Sequence, residues 1–129
     1  MKAWLFLAAI NGALAVVAGA FAAHGLKARL DADALSVFET GARYHMYHAL
    51  AMGLAAQTAN GQAGRGPAAP FARMAAVLFL VGIILFSGSL YLLALTGNVV
   101  WGIVTPIGGV AFLAGWTALA MAALKRDWS

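Results

Sequence analysis

The chain has 129 residues, of which 64% are hydrophobic, and a mean hydropathy of +0.88. Soluble domains hold roughly 45–50% apolar residues, so this composition excludes an ordinary soluble domain and indicates an all-α membrane protein, with three or four crossings of about 20 residues each using most of the chain. The absence of cysteine excludes disulfides, thiolate metal sites and cysteine nucleophiles, and the net charge of +4 comes without a basic stripe interleaved with aromatics, which argues against a nucleic-acid partner.

Four segments meet or approach the length of a crossing: Ala3 to Ala23, Tyr44 to Ala59, Met74 to Leu95 and Pro106 to Leu124. None alternates like a strand, and unpaired backbone is costly in lipid, so helices are expected throughout. Lys2 and the small residues of "AGAFAAH" also resemble a signal peptide, but an apolar run of this length fits a retained helix better. The second segment is short. The amphipathic "DADALSVFETGARY" before it carries start signals in Asp31, Asp33 and the Ser36-to-Glu39 capping-box spacing, which predicts one helix from about residue 32.

"NGQAGRGPAAP", Asn60 to Pro70, predicts a linker between two antiparallel hairpins. "TGNVVWG", Thr96 to Gly102, predicts a second turn, with Pro106 in the first turn of the last helix. Ala8 to Gly12, Ala15 to Gly19 and Ala111 to Gly115 are small-xxx-small spacings that let helices approach closely in lipid, within the chain or between copies of it. The expected architecture is a compact four-helix transmembrane bundle filling residues 1–129.

With four crossings, Lys2, Arg65, Arg73, Lys125 and Arg126 fall on one side and Lys27, Arg29 and Arg43 on the other. The richer side is expected in the cytoplasm with both termini. This topology gathers the unusual polar groups at the outer face: His24, Glu39, Arg43, Tyr44, His48, Ser87 and Tyr91, with Ser89 and Thr105 beside them. Glu39 and Arg43 are spaced as an i, i+4 ion pair with the acid first. His45 and His48 share a different face with Met52.

Each of these groups has a bland and a sharp reading. Glu39 and Arg43 fix packing, Tyr44 and Tyr47 anchor at the interface, and each histidine needs only one or two hydrogen bonds. The sharper reading joins His24 and His48 as a bis-histidine site or as part of a pocket for a lipid headgroup, a quinone-like molecule or a proton-linked ligand. The Glu-x-x-His pattern of di-iron bundles is missing, and one acid already near Arg43 leaves no carboxylate-supported triad for Ser87, Ser89 or His48. No catalytic residue, metal or cofactor is therefore expected.

"GAFAAHGLKARL", "FETGARYHMYHALA", "LFSGSLYLLALTG" and "TPIGGVAFLAGW" together resemble the YgdD-type family of small bacterial membrane proteins, a family of unknown function with an animal transmembrane-protein relative. The resemblance covers nearly the whole chain. It is carried by His24, Gly25, Glu39, Tyr44, His48, Ser87, Gly88, Tyr91, Pro106, Gly108 and Gly109, and it implies a four-helix membrane architecture. Relatives often carry glutamine at the position of His45, which implies that an obligatory ligand is not required there. The expected function is that of a noncatalytic inner-membrane protein that binds or stabilises a membrane-protein partner, or another copy of itself, in the lipid bilayer. The alternative is a lipid, quinone-like or transported small ligand held at His24 and His48.

Overall fold

A computed structural model describes residues 1–60 and 66–126, so residues 61–65 of the expected linker lie outside the described residues. The described residues are almost all helical, with no strand among them. Helix α1 spans Lys2–Phe21 and runs on through a π turn, Ala22–Leu26. Helix α2 spans Ala32–Asn60. Helix α3, Ala69–Gly82, continues through a second π turn, Ile83–Ser87, into α4, Gly88–Thr96, and α5 spans Trp101–Lys125.

Three of these four long runs, Lys2–Leu26, Ala69–Thr96 and Trp101–Lys125, are long and apolar enough to cross a membrane. Helix α2 falls outside that set. It carries Asp33, Glu39, Arg43, His45 and His48, and it lies between α1 on one side and α3 and α4 on the other, which bury His45 and His48 and leave Asp33 and Arg43 exposed. Most of its buried positions are small, among them Ala49, Ala51, Ala55, Ala56 and Ala59, which let the neighbouring backbones come close. Met52 and Phe79 fill the centre with no exposed surface.

One end of the molecule closes on Ala22, Leu26, Phe38 and Ala94, and the opposite end on Ala59, Ala68, Ala72 and Ala122 with Met1 against them. The exterior is apolar. Leu50, Ile103, Leu113 and Leu124 are each at least two-thirds exposed, which suits a hydrocarbon surround and would be a large exposed patch in water.

The helix boundaries differ from the expected ones in ways that local bonds explain. Asp31 caps α2, its Oδ1 accepting the Ala34 N–H at 2.8 Å, while Ser36 and Glu39 lie inside the helix and form no capping box. Helix α3 starts at Ala69 rather than Met74, because Pro70 fits the first helical turn. Pro106 is an interior residue of α5. The turn before it is tighter than "TGNVVWG" suggests: Gly97 adopts φ 69°, a left-handed conformation that favours glycine, and Asn98 Oδ1 accepts the Val100 N–H at 3.1 Å. The next helix can therefore begin at Trp101.

Candidate functional site

The helices bring together two histidine-centred networks, and neither is the one expected. Asn11 stands between Ala8 and Ala15 on the buried face of α1, one polar side chain in an apolar stripe. Its Nδ2 donates to the Leu7 carbonyl at 2.9 Å, so its Oδ1 is the group that meets His45 Nε2 at 2.9 Å. The other ring nitrogen of His45, Nδ1, lies 2.9 Å from the Tyr91 hydroxyl. An amide oxygen only accepts, so Nε2 carries the proton, and in the neutral ring Nδ1 accepts from the Tyr91 hydroxyl. A neutral imidazole thereby ties α1, α2 and α4 together.

His48 has the opposite tautomer. Its Nδ1 donates to the Tyr44 carbonyl at 2.7 Å, and its Nε2 accepts the Trp116 indole N–H at 3.1 Å. The ring lies flat on Phe112, with centroids 3.5 Å apart and planes 8° apart, and Phe79 and Trp116 pack around it. This second network fastens α2 to α5, two helices that otherwise scarcely touch.

Ser87 is fully buried at the end of the second π turn and donates to the Gly41 carbonyl at 2.8 Å. In that wide turn the Gly88 N–H returns to the Ile83 carbonyl, and the widened backbone presses onto α5 at Gly108, where a Cβ would collide with the main chain of Leu85 and Phe86. Ser89 Oγ lies 2.9 Å from the Phe86 carbonyl and 2.6 Å from Thr105 Oγ1, linking α4 to α5. Among the described residues, no buried side-chain polar atom lacks a hydrogen-bond partner.

Of the expected cluster, Tyr44, His48, Ser87 and Tyr91 are thus tied into the helix contacts, while His24, Glu39 and Arg43 are not. His24 is exposed on the first π turn. Phe38, which packs against Ala22 and Leu26 at that end, precedes His48 by about 15 Å along α2, so the structure does not join His24 to His48. Glu39 and Arg43 form no ion pair: Arg43 Nη2 turns back to Thr40 Oγ1 at 3.2 Å. The choice is reasonable because an i, i+4 pair at a surface stabilises by only a few tenths of a kcal/mol. Among the described residues, no group of three or more His, Asp or Glu is placed to hold a metal ion.

The depth of the network also differs from expectation. Asn11 lies roughly 12 Å along an apolar run of α1 that is about 30 Å long, at 1.5 Å per residue, so the Asn11–His45 bond is level with the middle of the run and not with its end. The missed residues, Asn11 and Trp116, have no charge; Asn11 lies in none of the quoted motifs, and Trp116 only closes "TPIGGVAFLAGW". The signal for Asn11 was its position, three after Ala8 and four before Ala15.

Beside His48, a lateral groove of about 470 Å³ opens between α2 and α5, walled by Tyr44, Tyr47, Leu113 and Trp116 and floored by Phe86 and Phe112. Ala15, Gly19, Glu39, Ala42, Arg43 and Met46 line a second groove of about 350 Å³ between α1 and α2.

Residues 18–109 match a family described as "Protein of unknown function (DUF423)". The chain is 45% identical to the UPF0382 membrane protein YwdK of Bacillus subtilis over 125 residues, covering 97% of this chain and 98% of that protein. It is 45% identical to a UPF0382 membrane protein of Haemophilus influenzae over 127 residues, covering 95% and 94%. It is 39% identical to the UPF0382 inner membrane protein YgdD of Escherichia coli over 122 residues, covering 94% and 88%. No solved structure matches it. Together with the three apolar helices, these relationships mean that the chain belongs to the DUF423 family of membrane proteins of unknown function.

Proposed function

We propose that the protein is a noncatalytic four-span bundle of the inner membrane, with α2 as the fourth crossing, two antiparallel hairpins and both termini in the cytoplasm. In this reading it holds a membrane-protein partner, or another copy of itself, at the groove between α2 and α5. One observation carries the reading: both ring nitrogens of His45 and of His48 already hold hydrogen bonds within the chain. Acid–base or ligand chemistry at either ring would first have to break a helix fastening. The aromatic groove beside His48 is open for binding without breaking either fastening.

The α2 crossing is supported by the way α2 lies along apolar helices, with its two histidines turned inward to Asn11, Tyr91 and Trp116. Orientation is supported by the surplus of basic residues at the ends near Lys2, Arg73 and Lys125. A second reading, a small apolar ligand such as a quinone-like ring in the same groove, is favoured by the aromatic lining of Tyr44, Phe86 and Phe112.

Native mass spectrometry with metal analysis of gently purified protein separates the readings. The proposal expects a chain free of metal and chromophore, and it expects photo-crosslinks to a discrete protein from Leu113 on the groove wall but not from Val16 on α1. A stoichiometric small molecule lost on widening the groove with Phe112→Ala would move the conclusion to the second reading.

A further inference from the structure

The groove between α1 and α2 is independent of the histidine networks and has a different character. It combines an apolar floor of Ala15, Gly19, Ala42 and Met46 with one acid and one base, Glu39 and Arg43. The two charges stand on one face of α2 without pairing to each other. Among the described residues the Glu39 carboxylate has no bond, and the Arg43 guanidinium gives only one, to Thr40, which leaves the rest of its donor fork unused there. A charged side chain among apolar helices is costly in lipid and is a candidate site by default.

The level of the groove narrows what could complete it. Gly19 lies roughly 24 Å along the apolar run of α1, near its end at about 30 Å. Charges there can reach the headgroup layer by extending along the helix. Gly19 itself keeps the groove open, with no atom within 4 Å of where a Cβ would stand.

We propose that this groove is a binding site for a zwitterionic phospholipid with a primary ammonium. Arg43 binds the phosphate, for which a guanidinium fork is well suited, Glu39 binds the ammonium, and an acyl chain lies on Ala15, Gly19 and Met46. An anionic phospholipid would satisfy Arg43 but leave Glu39 facing a headgroup with no positive charge. A second copy of the chain would have to supply both charges from its own sparse set.

The test is native mass spectrometry of the full chain with phosphatidylethanolamine and phosphatidylglycerol added in equal amounts. Wild type should retain one phosphatidylethanolamine in preference to phosphatidylglycerol by about fivefold, the ratio that about 1 kcal/mol from one exposed ion contact gives. Glu39→Gln should abolish the preference while phosphatidylglycerol still binds, and Arg43→Gln should weaken both lipids. Gly19→Leu, which fills the groove and leaves both charges in place, should weaken both as well. Circular dichroism of each variant checks that the helices persist. Equal retention of the two lipids by wild type, an unchanged preference in folded Glu39→Gln, or a dimer in place of a lipid adduct would overturn the proposal.

Discussion

Asn11 of α1 and His45 of α2 are joined by a 2.9 Å hydrogen bond level with the middle of the apolar run of α1, and Tyr91 closes the far side of the same ring. Deleting the imidazole leaves an amide oxygen and a phenol facing each other across a gap between packed helices. His45→Ala should cost about 1–3 kcal/mol of stability in detergent, the penalty for buried groups left without partners. A double-mutant cycle of Asn11→Ala with His45→Ala should give a coupling of about 0.6–1.7 kcal/mol, the range for hydrogen bonds between membrane helices. Additive losses in thermal or denaturant unfolding would remove this bond from the account.

The His48 network differs because stacking accompanies the hydrogen bonds. Trp116→Phe keeps a ring against Phe79 but removes the donor to His48 Nε2, and it should cost about 1 kcal/mol. His48→Ala also removes the ring stacked on Phe112 and should cost more, about 3 kcal/mol. Equal losses in the two variants would mean that the stack contributes nothing.

Glu39 and Arg43 should behave as independent residues. With no ion pair between them, the cycle of Glu39→Gln and Arg43→Gln should show a stability coupling near zero in a lipid-free detergent preparation. A coupling of about 0.5 kcal/mol, as for an ordinary i, i+4 pair, would restore the pair that the sequence spacing suggests.

The two adjacent glycines of "TPIGG" separate a structural position from a tolerant one. A Cβ at Gly108 meets the backbone of Leu85 and Phe86, which cannot rotate away, whereas a Cβ at Gly109 meets only the Phe86 ring edge at 3.9 Å. Gly108→Ala should fall at or above the top of the about 1–3 kcal/mol range for overpacked sites. Gly109→Ala should stay within about 0.5 kcal/mol of wild type. Folded yield and thermal unfolding of the pair check this, and equal tolerance would contradict the close approach of α5 to the π turn.

The sequence carried the helices and their order well, because apolar length and turn residues are local signals. The start of α2 near residue 32 was legible in Asp31, although the capping-box spacing of Ser36 and Glu39 pointed to the wrong residues. The site was less legible. Charge and motif drew attention to His24, Glu39 and Arg43, which stand apart from the helix fastenings, whereas the partners that commit His45 and His48 are Asn11 and Trp116 on other helices. Which side chains meet across three helices depends on rotation about each helix axis. The uniformly apolar α1 and α5 sequences carry little information about that rotation. The second π turn, which has no reliable local signature, further changes which of its own residues face Gly108 and which residues of α4 face Gly41.

The most direct test of the central claim, that both histidines are neutral fastenings, is nitrogen-15 NMR of the imidazole rings in labelled protein held in lipid or detergent. The hydrogen-bond partners predict two neutral rings of opposite tautomer at neutral pH: His45 protonated on Nε2 and His48 protonated on Nδ1. Asn11→Ala should disturb only the first ring and Trp116→Phe only the second. A doubly protonated ring, a metal-shifted nitrogen, or two rings exchanging freely between tautomers would contradict the account.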